Sequence, residues 1–597
     1  MEPAPSNPLP ATAWWTTPGI KLRYLFIFVV TFFGKFLFAA DFGFYEDDYL
    51  QILPFYRFSL GDALQRAWFD LRTWTHGEPI GFAISELHAY LVTRFDTLLV
   101  GFLLGLILIG LNGCLFYLLA KRFFPDFPAF IAACVFVLYP ADTSEQIIMN
   151  QPWQVLNLTF VLLAFLFYRR NIVLAYGLAL CSLLTYEHFF FPFAAAPFLL
   201  APGERFSWKR CFSHAFFIVI SATCMILVRD FIGEARARDV TASPGLVLNR
   251  VPSAIGLGIT NSIGTLFARI ADAFLHGGLV SWNIVVLATI GIGLALRRSR
   301  SPETAAITEP EQSWGNLFII AGGALFAAAA GYVLAFRPDD YPPIMNLGRL
   351  SGFNAPASIG ISILVGWVVT VLSRLNAIAR EVVAWISAAS IGALIAAGIY
   401  IQQVDYVASW NQQRSCLQQL FDTSNTWDSD TVLLIDLDNS DRKSMSTPGF
   451  PLYWLTIDLP DAVPELMHIV AVQEFTKDHH ACPTAIGYMR RLKTVAEPGG
   501  VRIEMENHAP IHIKDGYFQI FQIHHGRLLR VNDPVWSVAG VQLHQQSPEA
   551  KRQWQVPLSK AGTVLFEHYT FWPSVENGIM YPTTPPYSRA FGNLPEE

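Results

Sequence analysis

Three consecutive acids, Glu46, Asp47 and Asp48, follow the first apolar run of the chain, in the stretch DFGFYEDDY. Carboxylates at the end of a membrane helix oppose its dipole and repel one another. An acid at an apolar boundary is therefore a functional candidate by default. Such a group can deprotonate an incoming hydroxyl or hold a cation. Asp47 or Asp48 is the expected catalytic base, with Glu46 beside them facing substrate or serving the fold.

Similar residues recur between later apolar runs. His76 lies in His76-Gly77-Glu78-Pro79, Asp142 and Glu145 in YPADTSE, and Glu187 and His188 in TYEHF. Arg337 and Arg349 lie in FRPDDYPPIMNLGRLSGFN. An Arg fork matches a phosphate and keeps its charge near lipid, so the two arginines are the phosphate candidates, with Arg236 and Arg238 second. Plainer readings stand beside these. Arg337 could snorkel at a helix end, Asp142 and Glu145 could be solvated, and His76 and His188 could be satisfied by hydrogen bonds.

These loops need helices to hold them. Of 597 residues, 53% are hydrophobic and 15% charged, against about 25% charged in a soluble protein. With 47 Phe and 16 Trp, the composition points to a polytopic membrane protein. The net charge of −6 gives no sign of nucleic-acid binding. Residues 1–20 read as a cytoplasmic lead-in without signal-peptide architecture. Basic clusters such as Lys21/Arg23, Lys121/Arg122, Arg169/Arg170 and Arg374/Arg380 divide residues 21–403 into about eleven spans. The positive-inside rule then puts the acidic loops on the outer side, with the N-terminus cytoplasmic.

The long first loop, 41–96, contains an amphipathic segment with Leu60, Leu64, Trp68 and Leu71 at helical spacing, expected at the interface. Residues 188–203 read as a short span, or as partly re-entrant together with its neighbour around Glu187, and 251–276 as an interfacial helix or half-span. From 404 to 597 the apolar runs shorten and alternate with period two, as in YFQIFQI, which predicts a soluble, mainly β or α+β domain on the outer side. Its histidines read as scattered surface residues. Cys416 and Cys482 are candidates for a disulfide if that domain lies outside the cytoplasm. The remaining cysteines read as buried thiols, and no spacing suggests a zinc site.

Taken in order, these features resemble the GT-C superfamily of membrane glycosyltransferases. They are the acid pair Asp47-Asp48 after helix one, the long loop with its interfacial helix and His76-Gly77-Glu78-Pro79, the YPADTSE loop, and the acid of Tyr186-Glu187-His188. The YPADTSE loop is similar to that of the protein O-mannosyltransferase and TMTC-like branches. The likeness covers roughly residues 20–400 and departs at Tyr186, where relatives often carry Lys, and at Asn150-Gln151, where an Arg is often found.

The resemblance implies transfer of a sugar from a polyprenyl-phosphate carrier to a protein, lipid or polysaccharide acceptor. The short lead-in without a cleaved signal fits a bacterial inner membrane with a periplasmic domain, with an endoplasmic-reticulum membrane as the alternative. Some relatives use a divalent cation, for which Asp47, Asp48 and Glu145 offer oxygen ligands, but no metal or other cofactor is expected. A transporter or flippase for a lipid or amphiphile is the alternative, as is an inactive relative that scaffolds an envelope complex.

Overall fold

The computed structural model describes residues 18–45, 48–95, 97–275, 278–298, 312–335, 349–411, 431–436, 484–488, 493–504, 510–524 and 527–546. The fold is mostly helical, with a region of small sheets at the C-terminus. The helices are α1 (Pro18–Thr31), α2 (Asp48–Gln51), α3 (Leu60–Thr73), α4 (Pro79–Val92), α5 (Leu99–Ala120), α6 (Asp126–Val137), α7 (Leu156–Phe167) and α8 (Ile172–Thr185). They continue as α9 (Trp208–Phe231), α10 (Ala235–Ala242), α11 (Pro244–Leu275), α12 (Gly278–Arg298), α13 (Trp314–Ala330), α14 (Ala357–Ser373) and α15 (Ala377–Ala397). Five helical stretches among the described residues are long and apolar enough to cross a membrane: Lys21–Asp41, Leu99–Ala120, Trp208–Phe231, Asn249–Leu275 and Ile378–Asn411.

Charge marks one end of this bundle. Arg23 pairs with Asp126, Lys121 Nζ lies 3.2 Å from the same carboxylate, and Arg169 Nη2 lies 3.5 Å from Glu204 Oε2. Arg374 Nη1 donates to the Gln312 carbonyl at 2.9 Å. At the opposite end, the loops after helix one, α6, α8 and α13 come together.

The helix α11 has the length of a span, yet from Ala254 to Ile270 it stays against that loop end. Ala254 shares a buried cluster with Phe353, Ser262 Oγ lies 2.5 Å from Tyr139 Oη, and Ile270 packs with Tyr400. It therefore lies across the loop end. In the first loop, α3 starts with a capping box: Ser59 Oγ accepts from Asp62 N at 3.2 Å, and the Asp62 carboxylate accepts from Ser59 N at 2.8 Å. Its Ala63 and Ala67 are buried, while Leu60, Leu64 and Trp68 are exposed.

Two expectations change. Residues 188–203 are not an α-helical span, because 3-10 turns occupy Glu187–Phe189 and Phe191–Phe198. Pro192 and Pro197 are the reason: each lacks an N–H and crowds the preceding turn of an α-helix. The boundary at 403/404 also moves. Helix continues to Asn411, and Val404, Val407 and Trp410 repeat at helical spacing with their side chains buried.

Beyond it lies a mixed four-stranded sheet. Its strands are β1 (Val432–Asp436), β2 (Thr484–Tyr488), β6 (Phe518–His524) and β7 (Arg527–Arg530), in the order β2-β1-β6-β7. The strand β1 runs parallel to both β2 and β6. Alternation assigns its two faces: Val432, Leu434, Phe518 and Ile520 belong to the domain's own core. Leu433 and Phe521 join the buried cluster of the bundle. The remaining strands form two small antiparallel sheets: β3 (Thr494–Glu497), β4 (Gly500–Ile503) and β5 (Ile511–Lys514) in one, β8 (Val535–Val538) and β9 (Val541–His544) in the other. Cys416 and Cys482 lie outside the described residues.

Helix one and α15 approach most closely where both are π-helical, at Phe32–Phe36 and Gly398–Gln403. A Cβ on Gly398 would overlap the carbonyl oxygen of Gly34, whereas one on Gly177 would meet nothing within 4 Å. Gly398→Ala should lower stability by about 1–3 kcal/mol, as overpacking against fixed backbone does. Thermal unfolding in detergent, compared with Gly177→Ala, checks this; equal midpoints would show the contact to be loose.

Candidate functional site

The loop end is built around Lys35. This residue stands inside the apolar first helix and is only 1% exposed. The π-turn at Phe32–Phe36 inserts an extra residue into the helical ladder, a feature frequent at functional sites. The Lys35 ammonium donates to the carbonyls of Tyr139 at 3.4 Å and Asp142 at 3.1 Å, and it pairs with Glu145 Oε2 at 2.6 Å. A buried cation needs such partners, because desolvation costs several kcal/mol per ion.

Glutamine side chains bond backbone groups of the irregular turns. Gln146 Nε2 donates to the Lys35 carbonyl at 3.1 Å, and Gln402 Nε2 donates to Gln146 Oε1 at 2.7 Å. Gln403 bridges the same helices: its Nε2 donates to the Phe33 carbonyl at 2.9 Å and its Oε1 accepts from Phe38 N at 3.0 Å. Each bond satisfies a main-chain or amide group removed from water.

The loop between α6 and α7 is the hub. Asp142 is buried rather than solvated, and its Oδ1 accepts from Ser144 N at 2.9 Å and Ser144 Oγ at 2.7 Å. Thr143 N donates to Ser351 Oγ at 2.8 Å, and Asn354 Nδ2 donates to the Ala141 carbonyl at 3.0 Å. Both Ser351 and Asn354 come from the 3-10 segment Arg349–Asn354.

Asp48 ties the first loop to this hub. It is fully buried, its Oδ2 accepts from Tyr45 N at 3.1 Å and Ile148 N at 3.2 Å, and its Oδ1 accepts from Met149 N at 2.9 Å. A carboxylate engaged by three backbone donors fixes chain geometry. The preceding residues are held from α15's extension. Tyr45 Oη donates to the Tyr406 carbonyl at 2.9 Å, and the Trp410 ring covers Gly43 so closely that a Cβ there would overlap the indole.

A second ion-pair cluster lies beside the hub. Arg229, at the end of α9, donates through Nη2 to Glu187 Oε2 at 2.8 Å and to the Gly77 carbonyl at 3.0 Å. Glu78 Oε1 lies 3.7 Å from the same nitrogen. His188 Nε2 lies 2.7 Å from the Phe353 carbonyl, and its ring stacks on Phe353 with centroids 3.6 Å apart.

Thus Asp48, Glu145, Glu187 and His188 gather at one end of the bundle, each already in contact with protein groups. His76 and Arg349 are placed there by their backbones, in the turns Thr75–Gly77 and Arg349–Asn354, but their side chains lie outside the described residues. Glu46, Asp47 and Arg337 lie outside them altogether.

Sequence reasoning missed Lys35, Glu78, Arg229, Arg269 and Asp405. Lys35 carried a signal, as a lone charge within the apolar run Tyr24–Ala40. Asp405 is 2% exposed, and neither of its oxygens has a hydrogen-bond partner among the described residues; Arg269 is the charge that acts on it.

Two narrow cavities flank the hub loop. One is lined by Lys35, Thr143, Arg269 and Gln402, the other by Asn112, Asp142, Glu145 and Gln154. Their size suits water, which polar walls can hold. Among the described residues no group of three or more His, Cys, Asp and Glu side chains could hold a metal ion. No family model, curated protein or solved structure matches the chain.

Burial pushes Glu145 up from 4.5 to about 7, with Asp142 adding to the rise and Lys35 opposing it. As pH rises, the unfolded chain gives up this proton first. The contribution therefore favours the fold fully below about 4.5 and is lost as pH climbs towards 7. Glu145→Gln should flatten the pH dependence of the unfolding midpoint across that window. Lys35→Met should destabilise by about 3–5 kcal/mol, and the pair Lys35→Met/Glu145→Gln should recover most of the loss. A double variant no more stable than Lys35→Met would show that the pair does not govern this site.

Proposed function

We propose that the chain is an integral membrane glycosyltransferase of GT-C type. It moves a sugar from a polyprenyl-phosphate carrier to a protein, lipid or polysaccharide acceptor. The observation that carries this reading is the convergence of the acidic stretch, the hub loop, the Glu187 turn and the Arg349–Asn354 turn on one end of an apolar bundle. Polar groups from distant segments, buried together at a membrane boundary, carry a desolvation cost and by default mark a functional site.

In this reading the helices, with the 3-10 passage at 187–203, make eleven crossings. The basic end is cytoplasmic and the loop end faces the periplasm, together with the C-terminal domain. The acceptor hydroxyl gives its proton to a carboxylate as its oxygen attacks the anomeric carbon. The bond to phosphate breaks, and cations receive the developing charge. Because the Asp48 carboxylate already holds three backbone donors, Asp47 is assigned as the base. Arg337 and Arg349 are assigned to the phosphate.

The second reading is a lipid or amphiphile transporter, and Asp405 beside Arg269 favours it, as a buried carboxylate suited to ion coupling. Translocation of a labelled lipid in proteoliposomes, without sugar transfer, would select it.

In membranes supplied with labelled polyprenyl-phosphate sugars, Asp47→Asn should lower transfer by about 10²-fold or more with protein abundance unchanged. Asp48→Asn should lower abundance and transfer together. Full transfer by Asp47→Asn would remove it from the chemistry.

A further inference from the structure

At the basic end, away from the site above, a cavity opens between the α5–α6 turn, the end of α7 and the 3-10 passage. Leu119, Phe123, Phe165 and Leu199 give it apolar walls. Arg122, Arg169 and Glu204 also line it. Two guanidinium groups thus share a semi-apolar cavity with one carboxylate.

The arginines are only partly used. Arg122 Nη1 donates to the Phe165 carbonyl at 3.5 Å, a long bond. Arg169 Nη2 donates to the Pro197 carbonyl at 3.3 Å and lies 3.5 Å from Glu204 Oε2. Glu204 Oε2 is itself engaged by Ala201 N at 2.9 Å. The Nε and Nη1 atoms of Arg169 are buried and have no hydrogen-bond partner among the described residues. Buried donors without acceptors are costly, more so on a charged group. Burial and repulsion from Arg170 pull Arg122 down to about 10, so it keeps its charge at neutral pH in a locally positive setting.

We infer that this cavity is a phosphate-binding site. Arg169 would give Nε or Nη1 to one oxygen of a phosphate mono- or diester, with Arg122 as the second cation. The space is as narrow as the two cavities beside the hub, so a headgroup would enter as the side chains part; the apolar walls and the position at a helix end suit the headgroup of an anionic lipid, and basic pockets between membrane helices bind such headgroups. The inference is independent of the transferase reading, because it uses none of that site's residues.

The test uses the delipidated full-length chain in nanodiscs. Phosphatidylglycerol is titrated against a phosphatidylcholine background, and inorganic phosphate is added in a separate arm. Binding is read by native mass spectrometry and by thermal midpoint. Arg169→Gln should weaken binding about 10-fold or more, as loss of a charge-assisted hydrogen bond does. Arg169→Lys, which keeps the charge with a different donor geometry, guards against misfolding and should bind more weakly than wild type but more tightly than Arg169→Gln. Lys209→Gln, an exposed cation, should leave binding unchanged. Phosphatidylglycerol binding alone identifies a lipid headgroup; matching Arg169 dependence for inorganic phosphate identifies a free-phosphate site. Equal binding by wild type and both Arg169 variants, or an equal loss in Lys209→Gln, overturns the inference.

Discussion

An ammonium group sealed inside an apolar bundle dictates much of this structure. Lys35 is 1% exposed, so it must find its counter-charge and its acceptors within the protein. Glu145 supplies the first, and the carbonyls of Tyr139 and Asp142 supply the second. All three belong to one loop, which is thereby drawn down onto helix one. The π-turn that carries Lys35 faces a second π-turn just after α15, and glutamines from that second turn and from the hub loop satisfy main-chain carbonyls of the first. From this anchor the bonds spread to Asp48, Ser351 and Asn354, so that loops far apart in sequence form one polar layer.

The layer links the bundle to the domain behind it. Tyr406 and Trp410 are fully buried on the extension of α15, against the residues that precede the acid triplet. The first sheet then places Leu433 and Phe521 in the bundle's own buried cluster. The C-terminal domain is therefore not tethered by a linker alone.

Much of the architecture was legible in the sequence where single residues carry strong local signals. The Phe and Trp content and the period-two strands foretold a mostly helical unit, with helices apolar enough to cross a membrane, followed by small sheets. The 3-10 passage was also written there, in Pro192 and Pro197, but an apolar run of that length reads as a span when hydropathy alone is weighed. The domain boundary slipped because Gln402, Gln403 and Asp405 look like the start of a soluble segment, although Tyr406 and Trp410 continue the helix. Pairings were the illegible part. Arg229 meets Gly77 across 152 residues and Glu187 across 42, and nothing local announces either contact. Asp48 looked like a reactive acid from its neighbours in sequence, while two of the three backbone donors that occupy it come from a loop 100 residues away.

The central claim is that the polar layer around Lys35 is where a phosphate-linked sugar carrier reacts. Photo-crosslinking with a diazirine-bearing polyprenyl-phosphate sugar, followed by peptide mapping of the full-length protein in nanodiscs, tests it most directly. The account predicts adducts concentrated in residues 42–50, 139–151, 186–190 and 349–354, competed by unlabelled donor. Adducts confined to the basic end, or a distribution that unlabelled donor does not change, would contradict it.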